Sequence, residues 1–396
     1  MRIGIDGRLW GEAGVGRYIR NLVRELSKID NKNDYYLLLL KKHLGQKLPK
    51  NFHEVEADFR WYGVAEQRQL PKLLKSLNLD LVHFPHFNIP VFYSGKFVVT
   101  IHDLIHQHHK MNRATTLNPL IYKLKHMAYN HAFKTSLKKS QKIITVSEFV
   151  KKQLKDEMGV SENKIVVTHE AVEGQLITDA AGCNQEKIKK VQEKYGITPP
   201  FIYYVGNAHS HKNVEGLIKA FLELRKKYQY LQLVLSGHDH YFWERVKKEF
   251  MDSRLRGNDK GIKDVIFTGY VSDVEMVALY KSCQVYVFPS FEEGFGIPLL
   301  EAMACGAPVV SSNAASLPEI GGDAVLYFDP KNTEDMADKI QYVLNNQFPP
   351  RHPEALAEGS KNLRKFLMER GLIRVKQFSW EKLAKQTLDI YNSADV

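Results

Sequence analysis

Two rhythms of apolar residues divide this chain between them. The first is a set of short hydrophobic runs: Arg2 to Trp10, Tyr35 to Leu40, Leu81 to Phe84, Phe97 to Ile101, Lys142 to Val146 and Ile165 to Thr168. A second set follows: Phe201 to Val205, Gln232 to Ser236, Val265 to Thr268, Val285 to Phe288, Pro308 to Ser311 and Val325 to Phe328. Runs this short and this rich in Val, Ile, Tyr and Phe predict buried strands. The other rhythm sets apolar residues three and four apart, as in Tyr18, Ile19, Leu22, Val23 and Leu26, and predicts helices between most of the strands. Strand and helix in alternation predict mostly parallel, doubly wound α/β sheets, whose ligands bind beyond the carboxyl ends of the strands. Between Glu173 and Pro200 the strand pattern fades into a Lys/Glu-rich helical stretch, which predicts a linker.

Two helices stand apart. The run from Pro119 to about Lys138 sets Leu120, Leu124, Met127, Ala128 and His131 on one side and Lys123, Lys134 and Lys138 elsewhere. A terminal helix opens at Ser379-Trp380 and carries Trp380, Leu383, Thr387, Leu388 and Tyr391. The stretch from Met251 to Gly261 has no apolar period and reads as a surface insertion.

Length then sets the domain number. A chain of 396 residues exceeds one compact core. The expectation is two domains, residues 1–172 and 173–379, with the final helix of about 380–396 returning to the first. An apolar content of 44% excludes a disordered chain. Met1-Arg2-Ile3-Gly4-Ile5-Asp6 opens as a strand without the core of a signal peptide, and no stretch reads as a membrane span, so a cytoplasmic location is expected. Cys183, Cys283 and Cys305 have neither the number nor the spacing of a disulfide framework or zinc site.

The net charge of +11 is concentrated. Residues 96–155 hold twelve Lys and Arg against two acids, Asp103 and Glu148, a local excess of +10. Such an excess implies an anionic partner: a membrane leaflet, a lipid-linked phosphate or a nucleic acid. Peripheral attachment to the inner face of the cell membrane is one form this would take, with the 119–138 helix resting on headgroups.

The chemistry gathers in one stretch, Pro289-Ser290-Phe291-Glu292-Glu293-Gly294-Phe295-Gly296-Ile297-Pro298 and on through Glu301 to Gly306 and Pro308. A strand leads through a glycine bend into a helix started by Pro298 and stopped after about two turns by Gly306. Its free N–H groups and dipole end would seat a phosphate between Glu293 and Glu301, and carboxylates accept well from sugar and ribose hydroxyls. Together these suggest a sugar nucleotide; the plainer reading is a capped turn with two solvated carboxylates. A second Gly loop, Gly14-Val15-Gly16, stands at the first strand-to-helix turn, where amides would face a diphosphate. It is incomplete as a dinucleotide fingerprint, with Ile19 where a third small residue belongs. His102 and Asp103 follow one predicted strand and Ser147 another. His102 suits a sugar hydroxyl or phosphate, and Ser147 suits either a substrate or the N-cap of the next helix. His106, His108 and His109 crowd nearby without a metal-ligand spacing. Ser272-Asp273-Val274-Glu275 and Ser316-Leu317-Pro318-Glu319 both read as capping boxes.

The Glu-x7-Glu spacing around Gly-Phe-Gly resembles the C-terminal signature of the retaining GT-B glycosyltransferases of family 4. The resemblance implies two Rossmann-like doubly wound domains facing across a cleft, the first binding acceptor and the second binding donor, and a final helix crossing back. It implies that Glu293 holds donor-sugar hydroxyls, Glu301 ribose hydroxyls, and Lys212, in Gly206-Asn207-Ala208-His209-Ser210-His211-Lys212-Asn213, the diphosphate. Asn207 stands where some members carry arginine and Ser210 where proline is usual, which weakens the positive clamp. The resemblance further places Gly14, Val15, Gly16, Gly294, Phe295 and Gly296 at donor phosphates, Tyr270-Val271 near the base, and His102 at a sugar hydroxyl. The expected reaction moves a hexose, mannose by family weight with GDP-mannose as donor, to a hydroxyl of a glycan or lipid-linked acceptor. No Asp-x-Asp occurs, so no metal or cofactor is expected. The rivals are a sugar-nucleotide epimerase or hydrolase of the same fold and a non-catalytic basic binder of membrane or nucleic acid. The binder leaves the Glu293 to Glu301 stretch unexplained, so no nucleic-acid partner is expected.

Overall fold

The computed structural model describes residues 1–108, 119–238, 241–252, 262–345 and 363–394. It divides the chain into two compact units, Met1–Glu170 with Ser379–Val396, and Ala171–Phe378.

The first unit runs β1 (Arg2–Asp6), α1 (Gly14–Ile29), β2 (Asp34–Leu39), β3 (Phe52–Glu56), α2 (Val64–Ser76), β4 (Leu81–Phe84), β5 (Phe97–Ile101), α3 (Ile105–His108), α4 (Pro119–Lys139), β6 (Lys142–Thr145), α5 (Glu148–Asp156) and β7 (Ile165–Val167). Its seven strands are all parallel in the order β3-β2-β1-β4-β5-β6-β7. Strand order reverses between β1 and β4, with Ile5 opposite His83. The inner strands are buried on both faces, which is why they read as unbroken apolar runs. β1 is shorter than expected. It ends at Asp6, and Gly7 to Trp10 turn back on themselves, the Trp10 amide donating to the Gly7 carbonyl at 2.9 Å.

Strand β3, Phe-His-Glu-Val-Glu, has no counterpart among the expected strands. It lies at the sheet edge, where polar residues face water and break the apolar run. The apolar side expected for α4 is also corrected. Met127, Ala128 and His131 are exposed, while Ala132, Phe133, Ser136 and Leu137 are buried, with Phe133 and Leu137 in the core beneath β4 and β5. The buried positions lie on the opposite side of the helix from Met127, Ala128 and His131, and the side chains of Leu120, Lys123 and Leu124 lie outside the described residues. Lys110 and Arg113 of the basic segment and His109 lie outside the described residues.

The second unit runs α6 (Gly174–Ala181), α7 (Gln185–Tyr195), β8 (Phe201–Val205), α8 (Val214–Lys227), β9 (Gln232–Ser236), α9 (Tyr241–Asp252), β10 (Val265–Gly269), α10 (Asp273–Ser282), β11 (Val285–Phe288), α11 (Ile297–Ala304), β12 (Val309–Ser312), α12 (Leu317–Gly321), β13 (Val325–Phe328), α13 (Thr333–Leu344) and α14 (Leu363–Val375). Six parallel strands take the order β10-β9-β8-β11-β12-β13, reversing between β8 and β11. The stretch read as a linker is instead α6 and α7, which pack on α10 through Leu176, Ala180, Ile188 and Val191. Charge on the exposed side of α7 hid that packing. Residues 253–261 of the expected insertion lie outside the described residues.

The last helix, α15 (Trp380–Ala394), clusters with the first unit. It packs on α1, where the Trp380 and Tyr18 rings meet at 6.3 Å, and the Tyr391 hydroxyl reaches His83 Nδ1 at 2.6 Å. Two Rossmann-like doubly wound units are therefore present, as the alternation of strands and helices predicts.

Candidate functional site

In the second unit, the turns after β8 and β11 lie side by side at the switch in strand order, the position where open α/β sheets take ligands. Backbone and side chains tie these turns together. The Phe291 amide donates to the His211 carbonyl at 2.7 Å, and Asn213 Nδ2 donates to the carbonyls of Pro289 at 3.1 Å and Pro330 at 2.9 Å. Asn213 itself sits in the left-handed region at φ 55°, a conformation that asparagine tolerates better than most residues. Across this junction Lys212 Nζ lies 2.6 Å from Glu293 Oε1, and Ser290 Oγ donates to the same oxygen at 2.6 Å. All three side chains are largely withdrawn from water.

Glu293 and Glu301 are 7% and 3% exposed, so neither stands on a solvated edge. The bend between them is enclosed as well. Gly294, Phe295 and Gly296 are buried, and the Phe295 ring meets Phe378 edge-on at 5.9 Å. Gly296 caps α11 at φ 101°, and a side chain there would come within 2.8 Å of Leu317. That position therefore requires glycine twice over. Pro298 starts the helix as the sequence predicts, and the helix ends after eight residues.

Ser316 corrects its expected role. Its side chain does not cap α12; its hydroxyl reaches the carbonyls of Glu293 and Phe295, each at 3.0 Å. Ser312 Oγ likewise donates to the Ser290 carbonyl at 2.6 Å. These serines come from the next strand and turn and clamp the acidic bend in place. The capping pattern is the only signal the sequence carries for Ser316, and none marks Ser312. Ser272, by contrast, makes the full capping box with Glu275.

Other residues of the predicted donor set are more constrained. Asn207 turns its side-chain oxygen onto the His209 amide at 3.3 Å, and its carbonyl accepts the Tyr204 hydroxyl at 2.7 Å. Val271 is buried, while neighbouring Tyr270 is exposed and stacks on His238 at 4.5 Å. Burial pushes the Cys283 thiol up to about 12, which keeps it protonated and unreactive.

In the first unit Gly14, Val15 and Gly16 are the first turn of α1, not a loop before it. Gly14 is exposed with open space where a side chain would go. Gly16 is buried, and a Cβ there would strike the Leu9 and Trp10 carbonyls at 2.6 Å, so it serves the close turn of its own backbone. His102 stands beyond β5 with both ring nitrogens engaged: Nε2 at 2.9 Å from the Pro85 carbonyl and Nδ1 at 3.2 Å from Glu170. Burial opposes its charged form, yet Glu170, the Pro85 carbonyl and Asp103 outweigh it and raise its pKa. Asp103 caps the next turn through the Ile105 amide at 3.0 Å. Ser147 is fully buried and accepts the Val150 amide at 3.2 Å as the N-cap of α5. Among the described residues no cluster of three or more His, Cys, Asp or Glu is arranged to hold a metal, and no helix is long and apolar enough to cross a membrane.

Comparison with known proteins matches residues 184–363 to the glycosyl transferases group 1 family model and residues 13–175 to the glycosyltransferase family 4 model. The chain is 27% identical to the O-antigen chain mannosyltransferase B of Escherichia coli over 96% of its length and 95% of that protein. It is 27% identical to the O-antigen chain mannosyltransferase RfbU of Salmonella typhimurium, over 72% of its length and 73% of that protein. In fold it resembles a glycosyltransferase from Rickettsia africae, with a TM-score of 0.70 at 21% identity, covering 99% of this chain and 98% of the other.

Proposed function

We propose mannosyl transfer as the reaction of this chain, which belongs to the family 4 glycosyltransferases of GT-B fold. The donor is a nucleotide diphosphate mannose, GDP-mannose first, and the acceptor a hydroxyl of a growing polysaccharide of the O-antigen kind, with retention of anomeric configuration and without a metal. The activity for which the two mannosyltransferase relatives are named supports the sugar and the acceptor class.

The observation that carries the reading is the Lys212 and Glu293 pair at the β8/β11 switch point, 2.6 Å apart and largely excluded from water. An ammonium has three donors, and Glu293 takes one, which aims the others outward from a fixed point. Those donors and the amides at the start of α11 form a preorganised seat for a leaving diphosphate, whose growing charge they neutralise without reorganising. The second Glu293 oxygen is left to accept from donor-sugar hydroxyls. Glu301 is assigned to the ribose and Val271 to the base through its main chain. Gly14 and Val15 offer amides to phosphate, and His102 acts at the reacting sugar.

Purified protein incubated with GDP-mannose, UDP-glucose, dTDP- and ADP-sugars, each with and without a mannose-terminated acceptor, tests this. Mannose appearing on the acceptor from GDP-mannose, in the α-configuration and undiminished by EDTA, is the expected result. Donor breakdown or epimerisation that ignores the acceptor would establish the epimerase or hydrolase instead. If Glu293→Gln and Lys212→Ala left activity intact while charge reversal at Lys138 and Lys139 abolished it, the basic-binder reading would replace this one. Attachment through the basic 96–155 segment is proposed alongside, and co-sedimentation with anionic vesicles checks it.

A further inference from the structure

Building on the glycosyltransferase reading, we propose that Glu170 is a positioning residue for His102, locking the imidazole as a doubly protonated cation in one orientation beyond β5. The geometry requires it. Nε2 faces the Pro85 carbonyl at 2.9 Å, an acceptor only, so Nε2 carries hydrogen. Nδ1 faces a Glu170 carboxylate oxygen at 3.2 Å, also an acceptor, so Nδ1 carries hydrogen too. With Glu170 as a carboxylate, either neutral tautomer would turn a ring lone pair toward an oxygen lone pair. Glu170 is itself only 6% exposed, so little water screens the pair.

The surroundings favour the same state. The Tyr18 ring from α1 meets His102 edge-on at 5.0 Å. Tyr18 and His83 both hydrogen-bond Thr100 Oγ1, at 3.2 and 2.8 Å, and His83 bonds Tyr391 of α15 on its other side. The titratable groups facing His102 among the described residues are Glu170 after β7, Asp103 on its own loop, Tyr18 on α1, His83 on β4 and His86 just beyond β4. His106 in turn acts on His86. Burial, aided by the charge of His102, pulls both His83 and His86 down to about 3, so these two stay neutral.

This changes what His102 can do. With both N–H groups held, it does not offer a free nitrogen to a sugar hydroxyl; it offers a fixed positive charge beyond β5. Activity that needs the imidazolium is complete below the folded pKa of His102 and falls as pH rises through it.

The test is a pair of titrations on the full chain. The first follows the His102 ring signal by NMR without substrate, identified by its loss in His102→Asn. A midpoint above the ordinary histidine value that drops by about one pH unit or more in Glu170→Gln supports the proposal. A wild-type midpoint at or below the ordinary value, or one that Glu170→Gln leaves in place, overturns it. The second is the pH profile of kcat/KM, whose alkaline limb moves to lower pH in Glu170→Gln by the same interval and less in Glu170→Asp; superimposed profiles overturn the proposal. If Glu170→Gln fails to fold, as read by its melting curve, the wild-type midpoint and Glu170→Asp still decide. The substrate-free titration stands apart from the transferase assay, so absence of sugar transfer would sink the proposed function without touching this result.

Discussion

Lys212 and Glu293 form a buried ion pair in which each partner compensates the other's loss of water, so removing either leaves a charge stranded. Glu293→Gln keeps the shape but loses the charge that orients the ammonium, and kcat/KM should fall by about 100- to 1000-fold, the range for one preorganised electrostatic group. A steady-state assay with GDP-mannose checks this; a loss below threefold would detach the pair from the chemistry. Stability should change less than activity, because Ser290 can still donate to the amide oxygen. The two glutamates, Gly296 and Lys212 were all legible in the sequence because a short motif encodes them. Ser316, Ser312 and Glu170 were not: each acts from another strand or turn, and nothing local marks a hydroxyl or carboxylate that meets its partner across the fold.

At the scale of single elements, α10 shows a local pattern carried straight into structure. Ser272 Oγ accepts the Glu275 amide at 3.4 Å, and Glu275 returns a bond to the Ser272 amide at 2.9 Å. The box also reaches beyond its helix, because Glu275 pairs with Lys194 of α7 at 2.5 Å. Burial raises the Glu275 pKa, but Lys194 and Ser272 outweigh it and hold the carboxyl at about 2. A depressed carboxylate stabilises above its unfolded pKa, near 4.5, and loses that contribution as pH falls toward the folded value. Ser272→Ala should lower stability by about 0.5–2 kcal/mol and flatten this acid dependence, measured by urea unfolding at pH 7 and pH 3.5. Unchanged midpoints at both would show that the box contributes nothing. The misread elements share one cause. Strand β3, the exposed stripe of α4 and helices α6 and α7 are partly solvated, and a solvated element shows its polar side more plainly than its packing side.

For the whole molecule the notable feature is that the first unit is completed by the end of the chain. Trp380, Leu383, Thr387, Ile390 and Tyr391 are buried on α15, and Tyr391 satisfies one nitrogen of His83 deep in the first sheet. A chain ending at Phe378 would strip that cover from α1 and leave His83 with an unpaired ring nitrogen. Losing several large buried side chains should cost more than about 5 kcal/mol of the first unit's stability. Calorimetry should then show its transition lowered or lost, with the transition of the 171–378 unit kept; two unchanged transitions would refute the dependence. The sequence alone determined the strand and helix series, the doubly wound class and the acidic glycine bend, because parallel strands buried on both faces and a turn with a fixed φ leave few residue choices. Only the tertiary structure decided which residues hold that bend, which carboxylate and carbonyl enclose His102, and which residues of α1 and β4 the last helix meets. Those depend on groups far apart in the chain meeting inside a low-dielectric interior, and no spacing along the sequence records such a meeting.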